Sequence, residues 1–246
     1  MVLLVDIGNS RIKWSDEERL QKGDVSVNDG TDLQNMLEFE WGQIPRPDAV
    51  WVSSVVSDRL VSRLSDWTWD AWKLTPSRAK TRSRQLGVVN GYDRPEQLGI
   101  DRWLTLIGAR DRFDQPLVIV DCGTATTIDA LQQDGLHLGG LILPGLQMMR
   151  TSLLGNTAIP ETGTSSEISC LARDTAAGID SARVLSTTCL IERVADSFQE
   201  RIAQEVACVL TGGSAEEIKG TLRMNTYHEP NLVLQGLALV AGVSGS

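Results

Sequence analysis

The sequence predicts an α/β protein built from two similar halves, and three observations carry that reading. Short apolar runs of strand length alternate along the chain with longer segments of helical spacing. The pattern restarts near the middle. Leu3-Leu4-Val5 runs into Asp6-Ile7-Gly8-Asn9, and Leu117-Val118-Ile119-Val120 runs into Asp121-Cys122-Gly123-Thr124. Two copies of apolar run, Asp, any residue, Gly and polar turn residue point to an internal structural duplication. Finally, 246 residues with 41% hydrophobic and 22% charged side chains match a globular chain of one or two domains with a buried core. The polar, proline-bearing Asp114-Gln115-Pro116 reads as the joint, giving domains of 1–114 and 115–246.

The elements follow in order. The apolar run 2–7, stopped by Gly8 and Asn9, reads as a buried strand and tight turn. Strands are expected at 12–14, 24–27 and 49–53. Thr31, three residues before Gln34, forms a capping box for a short helix through Leu37. Helical spacing covers 56–64 and 98–109, the latter with Leu98, Trp103, Leu106 and Ile107 facing inward. In the second half, strands are expected at 117–120, 126–131 and 137–143, where Pro144-Gly145 breaks the pattern. Helices are expected at 147–154 and 174–201, and a strand at 206–210 ends in Thr211-Gly212-Gly213-Ser214-Ala215. Leu232-Val233-Leu234 reads as a last short strand and 237–243 as a last helix.

Composition excludes several classes of function. Twenty-three Lys and Arg against 32 Asp and Glu leave a net charge of −9, which argues against a nucleic-acid surface. No stretch approaches the roughly 18 apolar residues of a membrane span. The start reaches Asp6 too soon for a signal peptide, so a cytoplasmic protein is expected. The cysteines, Cys122, Cys170, Cys189 and Cys208, form no Cys-x-x-Cys pair, and the histidines are only His137 and His228. Neither a structural zinc site nor disulfides are expected. The cysteines read as core residues; Cys122 also lies within a glycine turn, where a thiol reagent is expected to block by bulk. The basic run from Arg78 to Arg84 lacks interleaved aromatics and reads as a solvated connector. Trp67 and Trp69 read as packing residues.

The chemistry sits in the turns. An Asp ending a buried strand, followed by Gly and a polar residue, lets backbone amides approach an anion while the carboxylate holds a cation. One copy is also ordinary hairpin chemistry. Two matching copies suit an enzyme that clamps a nucleoside triphosphate. A third turn, Thr211-Gly212-Gly213-Ser214, leads into a helical Ala215-Glu216-Glu217-Ile218. Neither a Walker Gly-x-x-x-x-Gly-Lys nor a Gly-x-Gly-x-x-Gly string occurs.

These motifs resemble the phosphate and adenosine motifs of the acetate and sugar kinase, heat-shock 70 and actin superfamily. More narrowly, the chain resembles the type III pantothenate kinases. The narrower likeness rests on Asp6 through Lys13, Gly91-Tyr92, Gln97-Leu98-Gly99-Ile100-Asp101-Arg102-Trp103 and Asp121 through Asp129. It continues through Gly139-Gly140 to Pro144-Gly145, Thr157-Ala158-Ile159-Pro160, Ala172-Arg173-Asp174-Thr175 and Leu232 through Leu237. Departures are Ser214, where an acidic residue commonly follows the double glycine, Gly178 inside a helical segment, and Gln235.

The resemblance implies two ribonuclease H-like (actin-like ATPase) domains flanking a cleft. It implies ATP-dependent phosphorylation of the primary hydroxyl of pantothenate, the first step toward coenzyme A, by a homodimer. Asp101 is then the base, and a carboxylate can orient the hydroxyl and accept its proton; its structural alternative is a salt bridge to Arg102 or Arg94. Asp6, Ile7, Gly8, Asn9, Ser10, Arg11, Ile12 and Lys13 would hold ATP phosphates and Mg2+, with Asp6 on the metal, although Lys13 also suits a solvated hairpin. Thr124 would contact ATP. Asp121 would take a monovalent cation, K+ or NH4+, or else cap its turn. Tyr92, Gly99, Ile100, Asp101, Arg102 and Thr175 would form the pantothenate pocket, with Arg102 offering a fork for a carboxylate. Tyr92 also suits a core position, and Thr175 a helix N-cap. Another hydroxyl substrate, or a regulatory binding protein on the same fold, are the rival readings.

Overall fold

Two five-stranded sheets of the same strand order organise the described residues. The structure is a computed structural model that describes residues 1–16, 19–20, 24–27, 33, 36–56, 58–160 and 162–243. The expected capping box at Thr31 and Gln34 lies outside these residues.

The first sheet joins β1 (Val2–Ile7), β2 (Arg11–Asp16), β3 (Asp24–Val27), β4 (Ala49–Ser54) and β5 (Ser77–Arg78) in the order β3-β2-β1-β4-β5. The first three strands pair antiparallel, while β4 runs parallel to β1 and β5 parallel to β4. A small hairpin follows, β6 (Arg84–Gln85) with β7 (Val88–Val89). In the second half β8 (Leu117–Cys122), β9 (Ala125–Leu131), β10 (His137–Pro144), β11 (Ala207–Thr211) and β12 (Thr226–His228) repeat the arrangement as β10-β9-β8-β11-β12. Strand directions repeat too, antiparallel across β8, β9 and β10 and parallel across β8, β11 and β12. The duplication expected from the two Asp-x-Gly copies is therefore a duplication of topology, and both halves are ribonuclease H-like.

Six α-helices accompany the sheets among the described residues: α1 (Asp58–Trp72), α2 (Ile100–Arg112), α3 (Leu146–Gly155), α4 (Thr175–Ile202), α5 (Ala215–Lys219) and α6 (Leu232–Ala241). The chain forms two units. The first is Met1–Phe113 with Asp134–Leu136 and Asn231–Ser246; the second is Asp114–Gln133 with His137–Pro230. The linear division at 114/115 thus assigns 231–246 to the second domain, whereas contacts assign it to the first unit.

In the first unit, β1 is covered on both faces and accordingly reads as a continuous apolar run. Leu3, Val5 and Ile7 face a core with Ile12, Val50, Val52, Leu64 and four tryptophans, Trp14, Trp41, Trp67 and Trp72. Leu4 faces the other way, toward Leu104 of α2 and Val233, Leu234 and Leu237 of α6. Trp69 lies 54% exposed, because two residues along a helix turn a side chain away from its neighbour's face. It does not share the packing expected of it with Trp67.

Leu232-Val233-Leu234 is the first turn of α6, not a strand. Seven consecutive residues from Leu232 to Ala238 are buried, so the helix has no polar face to give it a 3.6-residue signature. The 98–109 segment begins its helix at Ile100, and Leu98, Trp103, Leu106 and Ile107 are all buried. The basic run is bounded by β5 and β6, with Ala79 buried within it. The second unit packs Val118, Val120 and Cys122 of β8 with Ile128, Val184, Ile191, Phe198 and Leu210.

Candidate active site

In a sheet, residues directly paired across adjacent strands share a face. Asp6 pairs with Lys13 of β2 and with Ser53 of β4. A cation, a carboxylate and a hydroxyl therefore form one row at the C-terminal edge of the parallel strands. That edge is where open α/β sheets bind ligands. Beyond the row, the Gly8 N–H donates to the Arg11 carbonyl at 2.9 Å and closes the hairpin. Ile7 and Ile12 are buried beneath it, whereas Asn9, Ser10 and Arg11 are exposed. Of the eight residues expected at the phosphates, the two isoleucines thus anchor the turn and the polar ones line its rim.

The same edge receives the head of α2. Ala79 donates its N–H to the Val52 carbonyl at 2.9 Å and continues the β5 line past Ser53. Two residues on, the Thr81 hydroxyl donates to the Leu98 carbonyl at 2.9 Å. Gly99 caps α2, and Ile100 packs on the Leu4 side of the first sheet. Asp101 falls in the first helical turn, where a carboxylate meets the positive end of the helix. Its Oδ1 accepts from the Arg102 N–H at 2.8 Å, which sets the side chain's orientation. Arg94 donates through Nε to Glu96 at 3.0 Å.

Tyr92 and Arg102 come together. The buried Arg102 guanidinium donates to the Tyr92 hydroxyl at 2.7 Å and lies 5.4 Å from the ring centroid. Tyr92 is half-buried, and its N–H donates to the Asn90 side chain at 3.0 Å. Asn90 in turn donates through Nδ2 to the Arg82 and Pro95 carbonyls at 3.3 and 3.2 Å. This buried amide organises the whole segment from the β6–β7 hairpin to α2. Sequence reading passed over Asn90; an asparagine before Gly-Tyr reads only as turn chemistry.

The second unit builds its own turn. Asp121 pairs with Thr127 of β9 and Thr211 of β11, the counterpart of the Asp6 row. Three glycines crowd this turn. A Cβ on Gly212, which holds φ +88°, would overlap the Asp121 carboxylate and the Cys122 backbone. One on Gly145 would overlap the Gly123 and Thr124 carbonyls. Gly145 also donates its N–H to the Thr124 carbonyl at 3.0 Å, and Ser214 donates to the Cys122 carbonyl at 3.0 Å. Thr124 is exposed at the tip.

Thr175 opens α4 and is exposed, but it is not the cap: Asp174 caps the helix by accepting from the Ala177 N–H at 2.9 Å. Before it, the extended chain is pinned by buried charge. Arg150 of α3 donates to Asp180 at 2.9 Å and to the Thr162 and Gly163 carbonyls at 2.7 and 2.8 Å. Asp180, fully buried, also accepts from the Ser165 N–H at 2.7 Å and from Arg183 at 2.9 Å. Burial pushes its pKa up, but the Ser165 amide and the Arg183 and Arg150 guanidinium groups outweigh that and hold it below the ordinary carboxylate value.

These residues fit the groups the resemblance implies. Mg2+ keeps most of its waters and binds through one or two carboxylates plus phosphate oxygens. Asp6, with the buried, unbonded Ser53 hydroxyl beside it, offers that type of site. No group of three or more His, Cys, Asp or Glu gathers among the described residues. At Asp121 the glycines let the turns of Gly123, Gly145 and Gly212 pack backbone to backbone around the carboxylate.

A family model described as type III pantothenate kinase matches residues 2–197. A type III pantothenate kinase from Nitrosococcus oceani is 41% identical over 249 residues, covering 98% of this chain and 94% of the relative. A Campylobacter jejuni structure described as a Baf family transcriptional activator superposes with TM-score 0.63 at 19% identity, covering 98% of this chain and 97% of that one. A Sinorhizobium meliloti structure described as a 2-dehydro-3-deoxygalactonokinase gives TM-score 0.59 at 11% identity, with 98% of both chains covered. At such identities the two structures speak for the fold alone.

Proposed function

Since this chain belongs to the type III pantothenate kinase family, its reaction is the ATP-dependent phosphorylation of pantothenate, the first step of coenzyme A biosynthesis, and we propose that Asp101 is the base. One observation carries the assignment of the base. Asp101 lies in the first turn of α2, and its neighbours Ile100 and Leu104 pack on the Leu4 face of the first sheet, the face that carries Asp6. Phosphoryl transfer asks the protein chiefly to position reactants and to stabilise charge. Asp101, oriented by the Arg102 amide, accepts the hydroxyl proton of pantothenate as that oxygen bonds to the γ-phosphorus of ATP and the bond from this phosphorus to ADP breaks. Arg102, braced by Tyr92, pairs with the substrate carboxylate. Gly99, Ile100 and Thr175 complete the contacts to pantothenate.

Residues Asp6 through Lys13 take the phosphates of ATP, with Asp6 toward the metal and Lys13 against the developing negative charge. Mg2+, when bound, neutralises charge on the β- and γ-phosphates. Thr124 contacts ATP from the second turn. Asp121 holds a monovalent cation, K+ or NH4+, its carboxylate lying against Gly123 and Gly212. The homodimer rests on the family likeness, and the cytoplasmic location on the sequence reading of the N-terminal residues. No helix among the described residues is long and apolar enough to cross a membrane.

The test is ADP release from Mg-ATP with and without pantothenate, in K+ and in Na+ buffers, for the wild type and Asp101→Asn. We expect pantothenate-dependent release, faster in K+. General-base catalysis is worth about 10²–10⁴-fold, and Asp101→Asn should lose activity on that scale while melting like the wild type. Near-normal kcat in the variant would remove Asp101 from the role, and equal rates in both buffers would remove the cation from Asp121.

A further inference from the structure

Ser53 is fully buried and its hydroxyl has no hydrogen-bond partner. Burying a hydroxyl without one opposes folding, and native structures rarely tolerate it without a reason. Its neighbour Ser54, on the opposite face of β4, uses its hydroxyl to accept from the Val56 N–H at 3.3 Å. The unbonded group therefore belongs to Ser53 and is no general property of this strand end. Its position is specific. Ser53 pairs with Asp6 on one side, and the β5 line passes it on the other before the chain turns through Thr81 and Leu98 into α2. The apolar cover on this face, Leu4, Leu104 and Trp51, lies away from the strand ends. Ser53 thus stands at the border between that cover and Asp6, on the edge from which Asp101 starts. In the duplicated half the residue paired with Asp121 in the same way is Thr211, which is also buried.

Resting on the kinase reading above, we propose that Ser53 is a positioning residue for phosphoryl transfer: its hydroxyl donates to the Asp6 carboxylate in the enzyme loaded with magnesium and nucleotide. A carboxylate offers about four acceptor sites, so Asp6 can accept from Ser53 while another lone pair faces the cation. The bond fixes the rotamer that metal binding demands, and it gives the buried hydroxyl the partner it otherwise lacks.

The experiment is calorimetric binding of the β,γ-imido analogue of ATP to the full chain, in excess Mg2+ and in EDTA, with thermal melts beside it. The proteins are wild type, Ser53→Ala, Ser53→Cys and Ser54→Ala. One hydrogen bond to a charged group corresponds to about ten- to a hundredfold in affinity. Ser53→Ala should weaken binding in Mg2+ by that factor, leave binding in EDTA unchanged, and melt at the wild-type temperature or above. Ser53→Cys, which keeps the volume with a far weaker donor, should behave alike. Ser54→Ala should lower the melting temperature and leave the Mg2+ dependence intact. A Ser53→Ala protein that binds like the wild type in both buffers overturns the proposal, and so does one that only melts lower. If the wild type itself shows no Mg2+-dependent binding, the kinase reading fails and this inference falls with it.

Discussion

Cys122 sits inside the second Asp-x-Gly turn, yet its side chain points into the core with Val118, Leu146 and Cys208. Adjacent residues of a strand face opposite ways, so the residue after Asp121 turns inward while Asp121 stays at the rim. The core position expected of the cysteines holds for Cys122 and Cys208 and not for the exposed Cys170 and Cys189, and the access of a thiol reagent expected at Cys122 is overturned. Burial, reinforced by the neighbouring Asp121 charge, raises the Cys122 pKa, and burial pushes Cys208 up to about 12. Because the thiolate is the nucleophile, neither is reactive at pH 8. Ellman's reagent should count two fast thiols in the native protein, the exposed Cys170 and Cys189, and four in denaturant; a third fast thiol in the native state would contradict this. Asp6, Asp101 and Asp121 were legible because each stands in a string whose order carries meaning. Ser53 was not. A serine closing an apolar strand looks like a stop signal, and only the register across β1 and β4 shows what lies beside it.

Two helices meet where their side chains are smallest. Gly108 of α2 and Gly236 of α6 mark the crossing, where a Cβ on Gly236 would overlap the Leu104 carbonyl and one on Gly108 would come within 2.8 Å of the Leu232 carbonyl. Backbone contact this close locks α2 along its length, and Asp101 sits in its first turn. Overpacking a tight core costs about 1–3 kcal/mol, at times more. Gly236→Ala should therefore lower the melting temperature and, by shifting α2, reduce kcat. A variant that melts and turns over like the wild type would mean that the crossing yields easily. The sequence showed α2 as helical but α6 only from Leu237 onward, since a helix buried all round has no polar face to reveal its period and its first turn reads as a strand. Nor did it show the β6–β7 hairpin. Its strands are two residues each, and Leu86 in its turn holds φ +47°, where glycine or asparagine is the usual signal.

At the scale of the molecule, the duplicated topology was legible because each copy of the Asp-x-Gly turn ends its sheet's first strand. Which unit the chain's end joins was not legible, since that depends on contacts far apart in sequence. Helix α6 returns to the first unit, where Asn231 donates to the Leu20 carbonyl at 3.0 Å across 211 positions. Leu232, Leu234 and Leu237 are each fully buried there. Losing one buried leucine costs about 2–5 kcal/mol, so losing three approaches or exceeds the roughly 5–15 kcal/mol that holds a domain folded. A chain ending at Pro230 should therefore lose the first unit while sparing the second, which keeps its own core. The optical probes separate the two outcomes. All seven tryptophans lie within the first 113 residues, whereas the 28-residue helix α4 belongs to the second unit. The truncated chain should show red-shifted tryptophan emission with no cooperative melt by fluorescence, while helical circular dichroism persists and melts on its own. A native-like emission maximum with a cooperative fluorescence melt would mean that α2 and the first sheet hold without α6, and that the place of Asp101 does not depend on the chain's last helix.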